Sequence, residues 1–228
     1  MTASRWRSLR VSERSFNWAF GLSVCSWAVL GMLATDESAL SSPVRWGIAW
    51  LNLLVGLLFI VRQPARSVGG VRDVLQALPA LVVAGLALKI APPSIGWSAW
   101  AQAVFLSGVA LASWSFVWLG RCFAVLPARR GVVTRGPYRW VRHPAYAGEL
   151  IMLLGCALTS GRWPGFVLLA AAVVLVCVRA QAEERVLSED PGYLAYRRQT
   201  PSLLIPGRGL LGLLARSVNR RLRWQFIE

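Results

Sequence analysis

One lysine and one histidine are all that 228 residues contain, and acidic side chains number 10 against 25 basic ones. The four cysteines, Cys25, Cys122, Cys156 and Cys177, are scattered, three of them inside apolar runs. Their spacing suggests neither a metal-ligand set nor a disulfide framework, so they read as buried free thiols. Charge of any kind is scarce, at 15% of the chain, and it avoids the apolar runs. What remains is 56% hydrophobic, with a mean hydropathy of +0.51. That is the composition of an integral membrane protein and not of a soluble domain. The length leaves no room for a separate soluble catalytic domain, so any site must be built from helix ends and loops at the membrane face. A net charge of +15 would ordinarily point to nucleic acid. Arginine beside apolar runs instead reads as a topology signal and a contact for anionic lipid, and nucleic acid is set aside as a partner.

The apolar runs predict an all-α, polytopic helical bundle of about five to six transmembrane helices. The first, Phe16–Ala34, follows Arg5, Arg7, Arg10 and Arg14; at 19 residues it suits an uncleaved span better than a signal peptide. Further spans are expected at about Val44–Val61, Val74–Ile90 (with a possible kink at Pro79) and Trp97–Leu119. Trp97, Trp100, Trp114 and Trp118 read as interfacial anchors. The fifth and sixth runs, Ala145–Thr159 and Phe166–Ala180, have only about 15 residues each. They suggest a short hairpin packed inside the bundle. All but Arg45, Lys89 and Arg162 of the basic residues fall at the N-terminus, in the loop after the second run, in the loop after the fourth, and in the tail. This asymmetry predicts six spans, with both termini and the long loop cytoplasmic. The bias of arginine over lysine points to a bacterial cell membrane. The expected organisation is N-terminal transmembrane helices at 1–119, a catalytic region at 120–206 and a basic amphipathic tail at 207–228. In that tail Leu211, Leu214, Val218, Leu222 and Phe226 recur at helical spacing, as in a helix lying in the membrane interface. A disordered basic tail is the alternative.

The chain is organised around Gly131–Gly148. Gly131, Gly136, Pro137 and Pro144 forbid an uninterrupted helix there. Arg135, Arg139 and Arg142 interleave with Tyr138, Trp140 and Tyr146, around His143. Cations beside flat aromatic faces suit a ligand that carries both an anionic group and a heteroaromatic ring. The pattern Gly-Pro-Tyr-x-x-x-Arg-His-Pro-x-Tyr-x-Gly resembles the signature of the isoprenylcysteine carboxyl methyltransferase family, itself similar to the phospholipid N-methyltransferases. A second block follows in order: Arg179-x-x-x-Glu183-Glu184-x-x-Leu187, then Tyr193-x-x-Tyr196, Pro201 and Pro206. Together the blocks cover roughly Arg129 to Pro206; the first half of the chain is alike only in being apolar.

The resemblance implies a methyltransferase that uses S-adenosylmethionine. It implies that the Gly131, Val132 and Val133 backbone, Tyr138, the His143-Pro144-Ala145-Tyr146 turn and Glu183 bind that cofactor. Arg179 is implied to serve the substrate side. Glu149, an acid at the mouth of an apolar run, is costly there unless paired or functional, and joins Arg179 as a catalytic candidate. Each residue also has a plainer reading. His143 could cap the fifth helix. Arg139 and Arg142 could meet lipid phosphates, and Gly148 could serve helix packing. Arg179 and Glu183, at i and i+4, could simply bridge each other. Arg142 or Arg179 could pair with Glu149. A carboxylate acceptor needs no base, whereas an amine or phenol would need Glu149, Glu183 or His143 to take its proton. The expected acceptor is lipid-like: a prenylcysteine-type carboxylate, a lipid phenol or a phospholipid amine. Arg-His-Pro-x-Tyr-x-Gly-Glu is also similar to a motif of sterol-type reductases, so an NADPH-dependent membrane reductase is the alternative. A non-catalytic scaffold or transporter is a third reading.

Overall fold

The computed structural model describes residues 3–34, 41–91 and 96–204, with side chains from 13 onward except at 90. The tail at 207–228, expected as an interfacial helix, lies outside the described residues, as do most of the first polar loop and the Pro92-Pro93 turn. In chain order the helices are α1 (Ala3–Leu33), α2 (Pro43–Val61), α3 (Val71–Ile90), α4 (Ala99–Leu119), α5 (Pro144–Ser160), α6 (Trp163–Leu187) and α7 (Pro191–Gln199). Two-residue strands β1 (Ser67–Val68) and β2 (Ala128–Arg129) pair antiparallel. Among the described residues, five helices are long and apolar enough to cross a membrane: Glu13–Leu33, Pro43–Val61, Val71–Lys89, Ala99–Cys122 and Trp163–Leu187. The protein is thus an all-α membrane bundle, and its large exposed side chains, such as Trp27, Trp50, Val82 and Val174, are those a bilayer would cover.

The expected short hairpin is half right. Helix α5 is short, at 17 residues, but α6 runs for 25. The apolar run ends near Ala180, yet the helix continues through Glu183 and Glu184. These two and Arg179 each find a partner on a neighbouring element, so α6 carries charge inward without presenting it to lipid. Trp97 also departs from expectation. It is only 6% exposed and packs edge-on against Phe105 at 5.5 Å, in a core cluster with Val44 and Ala101, and is no interfacial anchor. Trp100, Trp114 and Trp118 remain exposed.

Packing runs α1 on α2, α2 on α4, α4 on α5 and α5 on α6, with α3 leaning on α6. The α4–α5 contact crosses the boundary expected at 119/120 and depends on glycine. A Cβ on Gly148 would lie 2.8 Å from Gly108 O and from Ala112 N, and one on Gly108 would lie 2.7 Å from Gly148 O. The backbones touch there, which fixes the start of α5 against α4.

The loops after α2 and α4 share one face. Arg66 N–H donates to Arg129 O at 2.7 Å and Gly69 N–H to Pro127 O at 2.9 Å. The Gln63 side-chain amide donates to Arg130 O, and the Arg130 guanidinium donates to Gln63 O. Arg130 also bonds Glu13, at the start of the first span, at 2.7 Å. Arg62 reaches Asn17 at 2.5 and 3.0 Å and lies over the Phe59 ring. Burial, then the Arg130 charge, lowers the Arg62 pKa to about 10.

Candidate functional site

Three pieces of backbone converge on one cavity. The first is the loop after α4. Gly131 has φ +155°, and a Cβ there would meet Cys122 Sγ at 2.8 Å, so any other residue would be strained here. Gly136, at φ +59°, opens a single 3₁₀ turn, Gly136–Arg139, pressed against Trp118. That turn buries Tyr138 against Tyr193 and Tyr196 of α7, with Val132, Val133 and Leu187 around them. The Tyr196 hydroxyl donates to Tyr138 O at 2.7 Å and so locks α7 onto the turn. Burial, then the nearby Glu183 charge, holds the Tyr138 phenol well above its ordinary pKa of 10.0.

The second piece is the start of α5. Pro144 occupies the first helical turn, which suits its missing N–H. His143 stands at the N-cap position but makes no side-chain cap bond, which excludes the simple capping role. Its ring is buried and stacks flat on Tyr146, with centroids 5.3 Å apart and planes at 2°. Its backbone N–H donates to Leu203 O at 3.0 Å.

The third piece is the last two turns of α6. Glu183 accepts from the Tyr146 hydroxyl at 2.6 Å and lies 3.8 Å from His143 Nδ1. Glu184 lies 3.4 Å from His143 Nε2. Glu184 also accepts from Arg142 Nε at 2.5 Å and is 3.7 Å from Arg197. Arg142 is therefore not directed at lipid phosphates or at Glu149. It is the clamp of the site, since Nη1 also donates to Thr200 O at 2.8 Å and Pro201 O at 2.5 Å. A planar fork of donors is what such a junction of carboxylate and carbonyls requires. Arg179 does not bridge Glu183 either. Its Nη1 pairs with Glu149 at 3.6 Å and its Nη2 donates to Val125 O at 2.8 Å. Its guanidinium lies over the Tyr146 ring at 4.6 Å. Arg139, by contrast, is exposed.

The cavity has a volume of about 450 Å³. Gly131, Val132, Val133, Tyr138, His143, Ala145, Tyr146, Glu149, Arg179 and Glu183 all line it; Pro144 is buried and supports the turn from behind. Sequence reasoning missed Arg142, Tyr193 and Tyr196 as members of the lining, and Glu184 as the buried carboxylate behind His143. Glu184 and both tyrosines were present in the second motif block, and the i, i+3 spacing of the tyrosines places them on one face of α7. A cleft between helices is expected for a lipid-like acceptor, but none of the residues that wall the apolar arm, among them Phe20, Val24, Asn52 and Leu81, was named for it.

The lining fits S-adenosylmethionine. Among the described residues, the Val132 and Val133 amides donate to no backbone carbonyl. These are donors suited to a carboxylate. Glu183 suits an ammonium or hydroxyl group, and the tyrosine cluster offers aromatic and apolar packing for a purine.

Residues 97–190 match the family model for phospholipid methyltransferase. The match supports the relationship to isoprenylcysteine carboxyl methyltransferases and phospholipid N-methyltransferases. It starts at Trp97, just before α4, and ends at Asp190, just before α7. It thus takes in the Gly131–Gly148 loop, α5 and both glutamates of α6, and leaves out α1, α2, α3 and the tyrosines of α7. No curated protein matches the chain.

Proposed function

We propose that this protein is a membrane methyltransferase that uses S-adenosylmethionine and acts on a lipid-like acceptor. The observation that carries the reading is a single cavity with two kinds of wall: a polar pole and an apolar arm between helices. Bound at the pole, S-adenosylmethionine supplies an activated methyl group. The Gly131–Val133 amides and His143 hold its carboxylate, Glu183 its amine or ribose, and the Tyr138, Tyr193 and Tyr196 cluster its purine. Arg142 and Glu184 hold His143 in place. Methyl transfer is an in-line displacement, so the chain's task is to orient the acceptor and exclude water. Arg179, held by Glu149 and Val125 O, orients a carboxylate acceptor, which needs no base. For an amine or phenol, Glu149 or Glu183 takes the proton. The face that carries the site is the cytoplasmic one, because 22 of the 25 basic residues belong to its segments.

The test is transfer of radiolabelled methyl from S-adenosylmethionine to lipid extracts by the purified protein in lipid discs. Label in the organic phase, reduced about a hundredfold with Arg179→Met, is the expected result. Label absent with wild type across carboxylate, phenol and amine lipids would overturn the reading.

A further inference from the structure

The apolar arm does not end at the catalytic cavity. A second cavity of about 320 Å³ lies further along the same helices, and Asn52 lines both. On α2 the walls follow Phe59, Val55, Asn52, Ile48 and Arg45, a stripe at steps of three and four. On α1 they follow Val24, Ala28 and Gly31, and on α3 Leu81, Ala84 and Leu88, with the same spacing. Each helix therefore turns one continuous face to both cavities. The faces stay apart because α1 and α2 pack on each other through Gly21 and Gly56, whereas α3 leans on α5 and α6 through Ala87, Leu153 and Ala172. Phe59 to Arg45 is fourteen steps of about 1.5 Å, or roughly 21 Å, most of the hydrocarbon thickness of a bilayer.

We propose that this groove holds the apolar tail of the acceptor along its whole length, from the catalytic pole past Asn52 to the Arg45 end. This rests on the methyltransferase reading for the identity of the occupant. The groove opens directly into the polar pole, so a tail within it places its polar head beside Glu149 and Arg179. It also assigns a task to α1–α3, which lie outside the family match: they select acceptors by chain length.

The probes are two carboxylate-headed alkyl chains, of about ten and about eighteen carbons to match the half and full groove, each with a photoreactive diazirine on its last carbon. The full-length protein is held in lipid discs with S-adenosylhomocysteine, and labelled residues are mapped by mass spectrometry. The long probe is expected to label residues 28–32 of α1 and 44–49 of α2, and the short one the neighbourhood of Asn52 and Val55. Gly31→Trp is the plug, because a Cβ there meets nothing within 4 Å. It is expected to cut the long probe's labelling about tenfold, leaving the short probe's labelling and the affinity for S-adenosylhomocysteine unchanged. Leu88→Trp, from the opposite wall, should do the same. Identical labelling by both probes, or long-probe labelling indifferent to both plugs, would overturn the proposal and mean that ordinary bilayer lipid lies against these helices. Length-dependent labelling in a protein that binds no S-adenosylhomocysteine would leave the groove standing and sink the methyltransferase reading instead.

Discussion

Helices α4 to α6 and helices α1 to α3 are made of similar residues and are packed in different ways. Glycine brings backbones into contact in both, at Gly108 and Gly148 in the first group and at Gly21 and Gly56 in the second, and the first adds buried charges such as Arg179 and Glu184, each with partners. In the second, α1 and α3 bury only 17% of their spanning windows, against 28% for α2, α4 and α6, and two cavities lie along the helix faces. Close packing with paired polar groups gives a rigid site in which small displacements are costly. Loose packing of apolar faces gives a surface that a lipid chain can fill. The family match covers the first group and stops short of the second.

The largest effect should come from a pair of equivalent changes, one in each group. Gly148→Leu places side-chain atoms where the α4 backbone lies and should destabilise the bundle by more than about 3 kcal/mol. Gly31→Leu meets nothing within 4 Å and should stay within about 0.5 kcal/mol. Thermal unfolding of both variants in one detergent measures the difference, and equal losses would erase the contrast. Next, Arg179→Met should lower methyl transfer by about a hundredfold through loss of acceptor orientation, while affinity for S-adenosylhomocysteine stays near wild type. Titration beside turnover separates the two. Arg142→Ala should then cost about 3 kcal/mol, because it leaves Glu184 buried with a weaker partner set. Denaturation of that variant in the same detergent gives the number, and a loss near zero would show that Arg142 is no clamp.

Much of this was legible in the chain and some was not, for identifiable reasons. The helices followed from hydropathy, and the cavity lining around His143 followed from two motif blocks. The partner of Arg142 is Glu184, 42 residues away on α6. No local pattern distinguishes that carboxylate from Glu149 on α5, which lies closer in the chain and pairs with Arg179 instead. Trp97 reads as an anchor because hydropathy does not separate a ring that faces lipid from one that faces another helix. The groove is hidden for the same reason: an apolar stripe has one spacing whether it meets protein, lipid or a cavity.

The smallest effect concerns pH. Burial holds the phenols of Tyr138, Tyr193 and Tyr196 above their ordinary value of 10.0 in the folded protein. Their contribution to stability is therefore complete below about pH 10 and is lost as the pH rises beyond it, where the unfolded chain releases protons that the folded one keeps. Ultraviolet titration should show these tyrosines ionising together with unfolding. Phenolate absorbance from them in the folded protein near pH 10 would contradict the buried cluster.

The most direct measurement is calorimetric titration of the detergent-solubilised protein with S-adenosylhomocysteine, with NADPH in parallel, for wild type, His143→Ala and Glu183→Ala, each checked for folding. The predicted result is saturable binding of S-adenosylhomocysteine, weakened about tenfold or more in both variants by the loss of a charged hydrogen-bond partner or its support. Binding of NADPH alone would contradict the methyltransferase reading.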